Sequence, residues 1–333
     1  TKLDSVIVKC SKILARHPKS DYVDKALYLI AKAYFYRREW LPSQIKCSEL
    51  LDKFENSDLA PDAHLLMAKD LLIQKKIHAG KIALSRTVDI AWAKKRYDIL
   101  SETFKVQADL ALYENEPDEA MKPYRQAVAQ TEDNTMKARW QTDLGLLLYR
   151  IGRFDDAAKA LLKVHEFNPD YVTEFEAYMY RGQSYTRTGK FPETERIIKK
   201  LSDDRNNEPW EPWIHVLKMD LARFKKNDST YYALEKFADS AFASFPAIQT
   251  VYFERGMEFF YKKELGNARR YFARTRTLRT SMYYIADKMY YLLTQWEQKQ
   301  NYVQKPVKQF LSGETIADSL RQSVSLALFD LGR

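Results

Sequence analysis

Residues 141–169 read QTDLGLLLYRIGRFDDAAKALLKVHEFNP, and this stretch decides the fold of the chain. Its apolar residues recur at helical spacing on both sides of Gly152, which predicts two amphipathic helices joined by a tight turn. Gly145 and Ala157 are small, so the two helices are expected to approach each other closely at these positions. Pro169 ends the second helix. The stretch therefore predicts a close-packed helix pair.

The same frame recurs along the chain. The small residue of the second helix is expected at positions 43, 80, 120, 157, 194, 234 and 268, in steps of 37, 40, 37, 37, 40 and 34 residues. The match is poorest between Trp213 and Pro246, where Ala222 and Leu234 are assigned to the small-residue positions. This order of small, apolar and turn residues resembles the tetratricopeptide repeat (TPR), whose unit is about 34 residues.

The resemblance implies an all-α fold, a right-handed superhelical solenoid of about sixteen or seventeen antiparallel helices without a sheet. We predict a single array over residues 1–333. Its expected parts are a half-repeat at 1–20, repeats at about 21–60, 61–97, 98–135, 136–170, 171–208, 209–246 and 247–281, and irregular helical pairs at 282–333. The half-units at the two ends suggest a segment of a longer protein, and the alternative is that they cap the array.

Composition agrees with helices. Only 9 of 333 residues are glycine and 11 are proline, which leaves few turn residues for an all-β fold. The net charge of +9 permits nucleic acid, acidic lipid or acidic protein as a partner. Cys10 and Cys47 lie one repeat apart, so we expect buried packing residues and no disulfide. No apolar run reaches the length of a membrane span.

No catalytic or cofactor motif is present in the sequence. It contains neither a phosphate-binding loop nor a nucleophile elbow, and no histidine has a second ligand at metal-binding spacing. We therefore expect no enzyme activity, no cofactor and no metal. The five histidines, which we expect to be solvated or to lie at helix ends, are His17, His64, His78, His165 and His215.

Two surfaces are candidates for partner binding. In TPR arrays the first helices line the concave groove, so the resemblance assigns an aromatic groove suited to an extended peptide or a partner helix. The groove residues are Tyr28, Phe35, Tyr36, Tyr113, Tyr149, Phe253, Phe260 and Tyr261. The alternative for each of them is packing between repeats. A second surface is a basic face formed by Arg269, Arg270, Arg274, Arg276 and Arg279, in a run without acidic residues. It is either a solvated convex face or a contact for an acidic partner or for phospholipid headgroups. Nucleic acid is disfavoured because no binding module accompanies the run.

The N-terminal stretch 17–36 reads HPKSDYVDKALYLIAKAYFY. It resembles the repeat junction of bacterial envelope TPR lipoproteins, and residues 9–60 resemble most closely the SprE/PorW kind of Bacteroidota type IX secretion and gliding motility. The resemblance implies a non-enzymatic scaffold at the periplasmic face of the outer membrane, with protein partners and a lipid anchor outside this segment. The alternative is an outer-membrane protein assembly factor like BamD, which receives barrel substrates.

Overall fold

The chain folds into helices throughout. The computed structural model describes residues 2–313, 315 and 317–332, with side chains up to residue 330. Within these residues there are seventeen α-helices, two short 3₁₀ helices and no strand. This confirms the predicted all-α, TPR-like array of helix pairs.

The helices divide into two compact units, of which unit 1 comprises Thr1–Lys190. Successive helices are joined by short turns and pack side by side, so neighbours run antiparallel. The helices of unit 1 are α1 (Lys2–Arg16), α2 (Val23–Tyr36), α3 (Trp40–Lys53), α4 (Ala60–Ile73), α5 (Ile77–Ala93), α6 (Tyr97–Tyr113), α7 (Pro117–Gln130), α8 (Asn134–Arg150), α9 (Phe154–Lys163) and α10 (Tyr171–Arg187). A 3₁₀ turn at Val164–Phe167 follows α9.

Unit 2 comprises Phe191–Arg333. Its helices are α11 (Phe191–Asp203), α12 (Glu211–Phe224), α13 (Asp228–Ala241), α14 (Pro246–Tyr261), α15 (Leu265–Thr275), α16 (Tyr283–Leu311) and α17 (Asp318–Gly332), with a 3₁₀ turn at Arg205–Trp210. Its main core cluster gathers residues from α12 to α16, including the fully buried Tyr231, Tyr271 and Phe272. The 29-residue α16 contains Pro306 and is twice the length of most other helices.

The turn inside each helix pair has the same geometry. Numbered in chain order, the seven pairs are α2–α3, α4–α5, α6–α7, α8–α9, α10–α11, α12–α13 and α14–α15, and the even-numbered helix is the first helix of its pair. The second residue after each first helix has a positive φ, as at Gly152, where φ is +80°. This confirms the tight turn predicted there. Such left-handed residues end helices because their backbone N–H groups reach carbonyls of the last turn. The residues at this position are Arg38, Lys75, Asn115, Gly152, Gly189, Lys226 and Lys263, spaced by 37 residues except for one step of 40.

The two helices of a pair approach each other closely at the small residues, as predicted. Gly145 is buried, and a Cβ placed on it would lie 2.5 Å from the Leu161 side chain of the partner helix. Gly182 is likewise buried. Cys10 and Cys47 are buried free thiols, which confirms their assignment as packing residues.

The sequence assignment of the sixth pair was wrong by three residues. Counted from its turn at Lys226, the small-residue positions fall on Met219 and Tyr231, both fully buried, and not on Ala222 and Leu234. The period of 37 therefore continues through α12 and α13. A search for small residues missed this register because two large side chains occupy the positions.

Candidate partner-binding surface

One face of the first helices carries the exposed aromatic residues of the predicted groove. Tyr36, Tyr113 and Tyr261 are each the last residue of a first helix, in α2, α6 and α14. Their side chains are 62%, 66% and 75% exposed. In α4 the same position holds Ile73, which is 47% exposed. We call the surface at these helix ends, taken within each unit by itself, the first-helix face.

The turn geometry fixes where these side chains lie. After Tyr36, the backbone N–H of Arg38 donates to the carbonyl of Phe35 and that of Glu39 donates to the carbonyl of Tyr34, both at 2.9 Å. The same two bonds follow Tyr113 and Tyr261. Because each helix ends in the same way, the aromatic side chains leave the helices at equivalent positions.

The other five predicted groove residues are half-buried and contribute to packing. Tyr28 and Phe35 pack against the cluster that contains Leu27 and Cys47. Phe253 and Phe260 pack against the main cluster of unit 2. Their rings fill space between neighbouring helices, as in the packing alternative, and their part in a partner-binding groove stays a prediction.

Tyr149 is the fifth of these packing residues. Its ring makes edge contacts with Phe154 of its own pair and with Tyr180 of α10, at centroid distances of 5.3 and 5.4 Å. Aromatic contacts of this kind stabilise neighbouring helices beyond the area they bury. Tyr149 therefore joins the fourth pair to the first helix of the next.

Charged residues of unit 1 form a ladder along the same helices. Lys69 of α4 pairs with Glu102 of α6 at 2.5 Å. Lys105 of α6 pairs with Asp109 at 2.6 Å and lies 3.8 Å from Asp143 of α8. Sequence reasoning missed this ladder, although the 33-residue spacing of Lys69 and Glu102 was an available signal.

Two acidic side chains in this region, Asp143 and Glu176, have raised pKa values. Burial raises the pKa of Asp143, and nearby Asp109 raises it further against the opposing effect of Lys105. Burial and then Asp143 raise the pKa of Glu176. The first helices of unit 1 thus carry exposed apolar side chains at Tyr36, Ile73 and Tyr113, together with a strip in which acidic and basic side chains alternate.

The predicted basic face in unit 2 is largely neutralised. Arg269 pairs with Glu297 at 3.0 Å, and the Nε atom of Arg276 lies 2.6 Å from Asp287. The guanidinium of Arg274 pairs with Asp239 and with Glu235.

Arg274 also stacks over Tyr252 at 4.1 Å, while Arg270 and Arg279 contact only aromatic rings among the described residues. The run therefore forms no uniform cationic surface. Its acidic partners come from α13 and α16, which are distant in the sequence.

No group of three metal-binding side chains occurs in the part of the chain that the structure describes. Among the histidines, burial lowers the pKa of His64 to about 4. The Nε2 atom of His215 lies 2.8 Å from the carbonyl oxygen of Leu234. Of the helices described, none has the length and apolar character to cross a membrane.

Comparison with known proteins identifies the fold. No family profile matches the chain, and no curated protein matches its sequence. Its structure is similar to a tetratricopeptide repeat protein from Parabacteroides merdae, with 15% identity and a TM-score of 0.52, covering 81% of this chain and 98% of that one.

Two other similar structures score lower. The C-terminal part of a TPR repeat-containing protein from Cytophaga hutchinsonii has 11% identity and a TM-score of 0.48, covering 86% of this chain and 94% of that one. BtubC from P. vanneervenii has 13% identity and a TM-score of 0.48, covering 60% and 86%. At these identities the likeness concerns the fold alone.

Proposed function

We propose that this chain is a non-enzymatic scaffold that binds partner proteins on its first-helix face. The observation that carries the proposal is the recurrence of exposed tyrosines at one repeat position, at Tyr36 and Tyr113 in unit 1 and at Tyr261 in unit 2. Tyrosine buries a large area for little side-chain entropy, so a few such residues dominate an interface. The adjoining charge ladder supplies polar contacts that orient the partner.

The more specific proposal is a component of type IX secretion or gliding motility, held at the periplasmic face of the outer membrane by a lipid anchor outside this segment. It rests on the resemblance of residues 17–36 and of the wider stretch 9–60 to envelope TPR lipoproteins of the SprE/PorW kind. The partners would then be other proteins of a multi-component secretion complex.

The decisive experiment is cross-linking and co-purification from the native organism. We expect the double variant Tyr36→Ala/Tyr113→Ala to lose its partners. Tyr22→Ala is the matched control, because Tyr22 is also 62% exposed but lies before α2 and not on the first-helix face. An equal loss of partners from the double variant and from Tyr22→Ala would contradict the surface assignment. Recovery of only cytosolic proteins would contradict the envelope proposal.

A second candidate function is an outer-membrane protein assembly factor, which the same junction resemblance supports. Arrays of peptides from the C-termini of outer-membrane barrels separate the two proposals. An assembly factor retains these peptides, and a secretion scaffold ignores them.

A further inference from the structure

The sixth helix pair departs from its neighbours at the positions where helices pack most closely. In the fourth pair these positions hold Gly145 and Ala157, whereas the sixth pair holds Met219 and Tyr231. Large side chains at a contact keep helices apart. Accordingly, α12 and α13 pack less closely against each other than α8 and α9 do. This leaves a depression along one side of the α12–α13 pair.

Two adjoining hollows occupy that side, each of about 560 Å³. Both are lined by Lys218 of α12 and by Thr230 and Leu234 of α13, so they form one continuous depression that we call the α12–α13 groove. One hollow extends to α11, and the other ends at Phe237, which is 50% exposed.

The groove is distinct from the first-helix face. On α12 it is lined by Lys218, Leu221, Ala222 and Lys225, at the helical spacing of a single stripe. Phe224, the last residue of α12, takes the position that Tyr261 has in α14. At about 100° per residue, Phe224 projects from another side of the helix than the stripe.

The lining combines an apolar floor with basic edges. The floor is made by Ile198, Leu221 and Leu234. Lys199 and Lys218 stand at the edge, and neither has an ion-pair partner among the described residues. Two acidic residues also line the groove. Glu195 forms an ion pair with Lys225, and Glu211 lies in the second hollow.

We propose that the α12–α13 groove binds an acidic amphipathic segment of a partner protein. Its apolar side chains would lie on the floor, while its carboxylates pair with Lys199 and Lys218. The charge of the free lysines selects an acidic segment, and the volume of the two hollows accommodates several side chains. This binding is independent of the first-helix face and adds a second contact to it.

The test uses two short fluorescent peptides with the full chain at physiological salt. One has leucines at helical spacing separated by glutamates, and the other has lysines in place of the glutamates. Binding is measured by fluorescence anisotropy. We expect the glutamate peptide to bind at least about tenfold more tightly than the lysine peptide.

Three variants locate the binding. Lys199→Glu/Lys218→Glu reverses the charge of the edge, and Thr230→Trp places a bulky ring at an exposed position that lines both hollows. Lys288→Glu/Lys305→Glu is the control, since it changes the net charge equally with exposed lysines of α16. We expect each groove variant to bind the glutamate peptide about tenfold or more weakly than the original chain. The control should change the dissociation constant less than about twofold.

Several results would overturn the proposal. They are no binding of the glutamate peptide up to about 1 mM, equal binding of the lysine peptide, or an equal loss in the α16 control. If the double lysine variant does not fold by circular dichroism, Thr230→Trp decides alone. Tyr36→Ala/Tyr113→Ala should leave peptide binding unchanged, which separates failure of this proposal from failure of the first-helix face.

Discussion

At Gly145 the two helices of the fourth pair approach so closely that an added methyl group has no room. The Cβ atom of a substituted residue would lie 2.5 Å from both Cγ and Cδ2 of Leu161, which is itself fully buried. Gly256 is in a similar position, with Phe272 at 2.9 Å. A Cβ atom placed on Gly266, in contrast, would meet no atom of another helix within 4 Å.

We therefore expect Gly145→Ala to lower the melting temperature. Overpacking costs about 1–3 kcal/mol, which exceeds the gain of about 1 kcal/mol that alanine brings to a helix. Gly266→Ala is the control and should leave the melting temperature unchanged or raise it. A Gly145→Ala variant as stable as the original chain would show that the two helices can move apart freely.

Asp70 is a buried carboxyl group without an ion-pair partner among the described residues. It lies in α4, fully buried, next to Ser43 and Cys47 of α3. Burial raises its pKa to about 6, and the Ser43 hydroxyl offsets only part of this effect. The unfolded chain titrates the same group near about 3.9. The folded state therefore binds the proton more tightly than the unfolded state.

The sign of the pH dependence follows. A raised pKa contributes stability that is complete below about pH 4 and is lost as the pH rises through about 6. We expect Asp70→Asn to raise the free energy of unfolding at neutral pH by on the order of 2 kcal/mol relative to its effect near pH 4. Urea denaturation at both pH values measures this difference. Asp58→Asn, at an exposed position, is the control, and its effect on the free energy of unfolding should be the same at both pH values.

Among the structural elements, the turns inside the helix pairs have a strained backbone wherever the position with positive φ is not occupied by glycine. The left-handed position holds glycine at Gly152 and Gly189, but lysine at Lys75, Lys226 and Lys263, where φ is 56–61°. A side chain with a Cβ atom costs about 1–2 kcal/mol in this conformation. The backbone hydrogen bonds of the turn nevertheless hold it, as at Lys263 and Glu264, whose N–H groups donate to Phe260 and Phe259.

Glycine at this position should stabilise the chain. We expect Lys263→Gly and Lys75→Gly each to raise the free energy of unfolding by about 0.5–1 kcal/mol, since glycine adopts positive φ readily. Asn115→Gly should gain less, because asparagine tolerates this conformation. The reverse change Gly152→Ala should cost about 1 kcal/mol. A destabilised Lys263→Gly would mean that the lysine side chain makes contacts that outweigh the backbone strain.

For the whole molecule, the distribution of the core predicts how the chain unfolds. The clusters around Leu27, Leu100, Leu148 and Leu161 belong to unit 1, and the cluster around Tyr271 belongs to unit 2. In a repeat array each pair contacts only its neighbours, so stability is largely local.

We expect fragments 1–190 and 191–333 each to be helical by circular dichroism and to melt cooperatively. A fragment that ends inside α8, at Gly145, should be less stable than fragment 1–190, because it cuts through a helix, whereas fragment 1–190 ends in the turn between α10 and α11. If either of the two whole-unit fragments proves unfolded, the compact units depend on each other and the cores described above are not self-sufficient.

The sequence by itself determined the helix pairs and most of their register. Small residues such as Gly145 and turn residues such as Gly152 are favoured where two helices approach or reverse, so enough of them recur with the repeat to be visible without a structure. The burial of Cys10 and Cys47 followed from the same period.

Only the tertiary structure decided which side chains remain free. Tyr36 and Phe35 are adjacent in the sequence, yet one is exposed and the other packs against a neighbouring helix. Arg274 and Arg276 stand in a run without acids, and their partners Glu235 and Asp287 come from other helices. The α12–α13 groove is lined by residues of three helices, α11, α12 and α13. Exposure and ion pairing are set by residues that folding brings together from distant helices, and a periodic pattern within one segment carries no record of them.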